Sequence, residues 1–179
     1  KSYMDNENYS AALRELDTVI QSMPKIPQRQ VLHLTRLECK AQLDMDPLND
    51  INRIGGDEDE FISANWRHYA QSQIKLAKEI PALASLNNAI KHARSLRVEA
   101  HIAELLLERA TIEERNEKYI ESFKTLTQAR GSDETSIRAY ASMAKLSQFK
   151  NVNLEMEKQN LSEAKLLKLA KRCIQELIK

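Results

Sequence analysis

The sequence predicts an all-α protein made of antiparallel helical hairpins stacked as a tetratricopeptide- or HEAT-like solenoid. Three observations predict it. Only 3 Gly and 4 Pro occur in 179 residues, too few for the turns of a β-sandwich or barrel. Ala, Leu, Lys, Glu and Gln are abundant while aromatics make up 5%, the vocabulary of helices packed through small side chains. Apolar residues recur at spacings of three and four along most of the chain, which marks one face of a helix.

The elements follow in order. Tyr9, Ala12, Leu13, Leu16, Val19 and Ile20 predict a helix from about Glu7 to Met23, closed by Pro24 and Pro27, because proline has no N–H and restricts its predecessor. Val31, Leu34, Leu37, Cys39 and Ala41 predict a second helix, Gln28 to Leu43, antiparallel to the first by its short connection. Pro47, Gly55-Gly56 and the acidic run Asp57 to Glu60 then break the pattern. Asp44 to Glu60 is expected to be a surface loop or linker, with its carboxylates at a helix N-terminus or serving as an acidic docking motif.

Beyond the break the helices crowd together. Phe61, Ile62, Trp66, Tyr69, Ala70, Ile74, Ala77 and Ile80 line one helix, and Pro81 fits the first turn of the next, which carries Leu83, Leu86, Ala89, Ile90 and Ala93. Ala100, Ala103, Leu106, Leu107 and Ala110 mark a helix from about Arg97 to Glu114; Tyr119, Ile120, Phe123, Leu126 and Ala129 mark one from Asn116 to Arg130. Gly131 is a terminator, and Ser132 or Asp133 a cap. Ile137, Tyr140, Ala141, Ala144 and Leu146 lead to Phe149; a looser stretch from Lys150 to Asn160 precedes a last helix with Leu166, Leu167, Ala170, Cys173, Ile174 and Leu177. Eight helices result, each striped rather than apolar all round, so none is expected to be a central rod. Stacked antiparallel pairs bury such stripes continuously; a closed bundle is the competing arrangement.

Charge and composition exclude several function classes. The net charge of +1 recruits neither nucleic acid nor an anionic membrane. No apolar run approaches the roughly 20 residues that span a bilayer. Lys1 in place of Met suggests a piece of a longer protein. Cys39 and Cys173 stand apart and read as free thiols in a reducing compartment, nuclear or cytoplasmic. The glycosylation patterns at Asn8 and Asn160 carry no weight without a secretion signal.

Motifs for chemistry are absent: no Gly-rich phosphate loop, HExxH or CxxC occurs. His33, His68, His92 and His101 are dispersed, which favours structural or surface roles over metal binding. Adjacent carboxylates such as Glu113-Glu114 do not converge on one face, and acid–base catalysis needs two carboxyl environments. No catalytic, cofactor-binding or metal residue is therefore assigned. The last helix is basic, with Lys165, Lys168, Lys171 and Arg172, but lacks aromatics for stacking on bases. The structural or interface candidates are Trp66, Tyr69, Phe123, Tyr140 and Phe149, with Trp66 read as packed between helices rather than as an exposed anchor.

A longer-range order of residues runs from Asn65 to Arg130. Trp66, Ala70 and Lys75-Leu76-Ala77-Lys78 come first, then Ala82-Leu83-Ala84-Ser85-Leu86 and Ala89. Glu99-Ala100, Ala103-Glu104-Leu105-Leu106, Tyr119 and Ser122-Phe123-Lys124-Thr125-Leu126 follow. This order resembles the FAT domain of the phosphatidylinositol-3-kinase-related protein kinases; Leu107 or Glu108 stands where a second Trp is common there. The stretch Ser136 to Phe149 resembles the end of that domain, and Lys165 to Lys171 resembles a helix of its ataxia-telangiectasia-mutated branch.

The resemblance covers Phe61 to Lys179. The helical spacing and the break before Phe61 add two segments to these FAT-like repeats (61–179): a helical hairpin (1–45) and an acidic, Gly-containing linker (46–60). The resemblance implies a non-catalytic scaffold segment of a large Ser/Thr kinase in DNA-damage signalling, with the kinase domain outside these residues. Its partners would be that kinase domain or partner subunits, including a second copy of the parent, with no membrane and no direct nucleic-acid contact. Ser72-Gln73 and Ser147-Gln148 match the Ser-Gln preference of such kinases. The alternative is a free-standing tetratricopeptide-like adaptor.

Overall fold

In a computed structural model, residues 8–22, 28–55, 59–97, 99–129 and 133–178 are described, and helix is the only regular structure among them. These residues form ten helices: α1 (Tyr9–Ser22), α2 (Gln28–Gln42), α3 (Leu48–Gly55), α4 (Asp59–Lys75), α5 (Glu79–Leu96), α6 (Glu99–Arg115), α7 (Tyr119–Gln128), α8 (Asp133–Leu146), α9 (Lys150–Lys158) and α10 (Glu163–Leu177). They fall into two compact units, Lys1–Leu96 and Arg97–Lys179. Pro24, Pro27, Gly56, Asp57, Glu58, Gly131 and Ser132 lie outside the described residues.

In the first unit α1 packs on α2, α2 on α3 and α4, and α4 most extensively on α5. Ala12, Leu13 and Cys39 form a cluster between α1 and α2, with Tyr9, Leu16 and Leu43 packed against it. In the second unit α6 packs on α7 and α8, α7 on α8 and α9, and α8 most extensively on α10.

The helix ends explain how so few glycines suffice. Ala77 adopts φ 57° and Glu117 φ 60°, the left-handed conformation usually left to glycine. The following amides close the helices: Lys78 N–H donates to Gln73 O at 2.9 Å and Lys118 N–H to Glu113 O at 2.8 Å. The preceding bonds, Ala77 N–H to Ile74 O and Glu117 N–H to Glu114 O, are both 3.0 Å. Asn160 ends α9 the same way, with Leu161 N–H donating to Met156 O at 2.9 Å, and Met45 N–H donates to Lys40 O at 2.9 Å beyond the left-handed Asp44. Each is a Schellman-type closure, satisfying carbonyls that a helix C-terminus leaves open.

Several expectations are corrected. The segment expected to be a linker, 46–60, contains α3, with Ile51 and Asp50 fully buried. Asp46 starts that helix by accepting the Leu48 N–H at 3.0 Å; Pro47 precedes its first turn instead of breaking it. The stretch expected to be loose, Lys150 to Asn160, contains α9, anchored by buried Val152 and Met156. Helix α4 ends at Lys75 rather than at Ile80, and Ile80 is among the most exposed apolar residues. Val31 and Phe61, expected on buried faces, are exposed. Leu105, Leu106 and Leu107 are consecutive and all buried. At about 100° per residue they cover roughly 200° of helix surface, so α6 is closer to a central rod than the stripe reading allowed.

Candidate interaction surface

The five aromatic candidates separate by burial. Trp66 and Tyr69 lie on one face of α4 in an edge-to-face pair, centroids 6.3 Å apart at 79°, an arrangement that suits the ring quadrupoles. Both are buried, and the Tyr69 hydroxyl donates to Met45 O at 2.8 Å. Burial, together with Asp44 and Asp46, pushes the Tyr69 phenol above its ordinary pKa. Phe123 is wholly buried in α7. These three hold helices together and present no surface. Tyr140 and Phe149 are half-buried.

Phe149 meets a residue the sequence reading placed only in a stripe. It stacks on Tyr119 with centroids 3.7 Å apart and planes 10° from parallel. The pair joins the start of α7 to the start of α9 and borders an open cleft of about 320 Å³, also lined by Ile120, Glu117, Glu121, Lys150 and Asn151. Lys145 beside it pairs with Glu114 at 2.5 Å. Hydrogen bonding to that carboxylate raises the Lys145 ammonium above its ordinary pKa.

The buried polar groups are the largest omission from sequence reasoning. Asp50 of α3 faces three basic side chains of α2: Arg36 Nε at 2.8 Å, Lys40 Nζ at 2.6 Å and His33 Nδ1 at 3.8 Å. Arg36 also pairs with Asp17 of α1. Burial alone would raise the Asp50 pKa, but the adjacent His33, the Lys40 ammonium and the Arg36 guanidinium outweigh it and hold the carboxyl well below the usual range. His33, Arg36 and Lys40 recur at helical spacing, which is the signal that was available; their partner lay in a segment taken for a loop.

Two further pairs bridge the later hairpins. Ser85 Oγ of α5 donates to Gln73 Oε1 of α4 at 2.7 Å. Thr125 Oγ1 of α7 donates to Glu113 Oε2 of α6 at 2.7 Å, and Arg109 Nε donates to Glu113 Oε1 at 2.8 Å. All four bridging residues are buried. Gln73 and Glu113 are 40 residues apart, as are Ser85 and Thr125, Ala77 and Glu117, and Lys78 and Lys118. Ala70 and Ala110, Leu86 and Leu126, and Ala89 and Ala129 keep the same offset, and all six are buried. The hairpins α4–α5 and α6–α7 are therefore one structural unit occurring twice.

The four histidines do not converge with a nucleophile. His33 faces Asp50, and His68 Nε2 lies 3.4 Å from Glu38 Oε1. Among the described residues no group of three or more His, Cys, Asp or Glu is arranged to hold a metal ion. Cys39 is buried and Cys173 half-buried, and neither is in a disulfide; burial raises the Cys39 thiol pKa, which disfavours the nucleophilic thiolate. No helix among the described residues is long and apolar enough to cross a membrane. Compared with family models, curated proteins and solved structures, the chain matches none of them.

Proposed function

We propose that this chain is a non-catalytic scaffold built of tetratricopeptide-like helical hairpins whose work is to hold other protein surfaces. The observation that carries the reading is the hairpin recurring at 40 residues with its left-handed closure and its buried cross-helix pair. In the first copy, Trp66-x2-Tyr69-Ala70-x2-Gln73 followed by Ala82-x3-Leu86 shares the Trp and the Ala of the order W-x2-L-G-x2-Y…A-x3-F of tetratricopeptide repeats. Tyr, Ala, Gln and Leu replace the Leu, Gly, Tyr and Phe of that pattern, and the period is 40 rather than 34. A unit of this kind buries its stripe only against neighbours, which suits an array that presents surfaces to partners.

The finer reading is a segment of a phosphatidylinositol-3-kinase-related Ser/Thr kinase, of the ataxia-telangiectasia-mutated type, supporting its kinase domain in nuclear or cytoplasmic DNA-damage signalling. The order of residues from Trp66 to Leu126 supports it. The tetratricopeptide-like spacing equally suits a free-standing adaptor. Reading the coding sequence beyond Lys179 separates the two: an in-frame kinase domain supports the first, and its absence leaves the adaptor.

A further inference from the structure

Helix α10 carries apolar residues on two faces. Leu166 and Ala170 are buried, with Leu169 and Cys173 half-buried, on a helix that packs against α8. Leu167 is 50% exposed, Ile174 44% and Ile178 79%. At about 100° per residue, Leu167, Ile174 and Ile178 fall within roughly 40° of one another, some 80–120° round from Leu166. They form a stripe about three turns long beside the buried face. Lys171 projects next to it and Lys168 beyond, both exposed and without an ion pair among the described residues. The other cations of α10 are engaged: the Lys165 ammonium donates to Asn160 O at 2.9 Å, and Arg172 pairs with Glu176 at 3.1 Å.

We propose that the Leu167–Ile174–Ile178 face of α10 docks an acidic amphipathic helix of a partner protein, its apolar stripe against these three residues and its carboxylates along Lys168 and Lys171. The proposal deepens the scaffold reading, on which it rests, by naming the class of partner. Aliphatic side chains at i, i+7 and i+11 are what a helix laid along another helix reads. The lysine flank selects the sign of the partner, since opposite charges at the rim steer association and like charges oppose it. An antiparallel two-fold pairing of α10 with a second copy would set lysine flank against lysine flank, which disfavours that mode of self-docking through this face. The absence of Trp, Tyr and Phe from α10 sets it apart from helices that settle into a lipid interface.

The test uses the 179-residue chain and two labelled, end-blocked helical peptides with the same leucine stripe, one flanked by Glu and one by Lys, followed by fluorescence anisotropy. The Glu peptide should bind at least tenfold more tightly, with an affinity that falls as salt rises. Leu167→Ser with Ile174→Ser should abolish binding while the helical circular dichroism is retained. Lys168→Glu with Lys171→Glu should reverse the peptide preference, a result that loss of folding cannot mimic. Equal binding of the two peptides, or binding that survives the serine pair, overturns the proposal. So does a dimer in sedimentation that Ile174→Asp dissociates, or binding to phosphatidylserine vesicles that the serine pair removes. The coding sequence beyond Lys179 tests the kinase reading independently, so either result can fail alone.

Discussion

Hairpins α4–α5 and α6–α7 meet the same packing requirement with different side chains. In the first, a neutral amide, Gln73, takes the hydroxyl of Ser85; in the second, a carboxylate, Glu113, takes the hydroxyl of Thr125 and the guanidinium of Arg109. Where α4 has Trp66, α6 has Leu106 at the same offset, both buried. What recurs is a position: four residues before the left-handed turn, buried, polar and bonded across the hairpin. Hairpin α2–α3 adds a third version, since Lys40 stands four residues before left-handed Asp44 and bonds to Asp50 of the next helix. A buried polar group must be bonded or its desolvation cost falls on the fold, so the pair fixes which helix lies against which.

The comparison makes its strongest prediction where the pair is ionic. Asp50→Asn leaves Arg36 and Lys40 without their buried partner and should cost about 3–5 kcal/mol in denaturant unfolding. The native Asp50 pKa lies below its unfolded value. Its contribution is therefore present above the ordinary carboxylate value of about 3.9 and is lost as pH falls below it. Acid titration of wild type should show that loss, and Asp50→Asn should flatten it. A variant within 1 kcal/mol of wild type would mean that α3 is held by Ile51 alone.

The Trp66 site tests whether the two hairpins are interchangeable. Trp66→Ala should destabilise by about 3–5 kcal/mol. Trp66→Leu, which installs the residue α6 uses, should cost measurably less by thermal melting; equal costs would deny the equivalence. In the α6–α7 hairpin, Thr125→Val should cost about 1–3 kcal/mol by removing the hydroxyl that bonds Glu113. Thr125→Ser should recover most of that. The smallest effect belongs to the turns: Ala77→Gly and Glu117→Gly should each gain about 0.5–1 kcal/mol by relieving the left-handed backbone. A loss at either position would show that its side chain supports the closure.

Helix was legible from the scarcity of glycine and the three-and-four spacing, and most helix cores lie where that spacing put them. Leu86, Ala89, Leu106, Ala110, Phe123 and Leu126 are all buried. Helices α3 and α9 were not legible, because each is short and holds itself by two apolar or polar anchors rather than by a stripe. The end of α4, expected at Ile80, was obscured for a different reason. Ala77 does glycine's work there, so no terminator is visible in the sequence. The polar bridges escaped because Gln73, Glu113 and Asp50 read as surface residues until their partners, 10 to 12 residues away, are brought opposite them. The half-buried aromatic stack forms between Phe149 and Tyr119 through a turn that spacing alone does not predict.

The repetition of the hairpin is tested most directly by native-state hydrogen exchange on the intact chain. The Lys78 and Lys118 amides close α4 and α6 through bonds of 2.9 and 2.8 Å, and these bonds exist only if both helices end in the same left-handed turn. The account predicts that both amides exchange far more slowly than unbonded surface amides, with Met45 and Leu161 behaving alike. Protection at Lys78 with free exchange at Lys118, or the reverse, would contradict it.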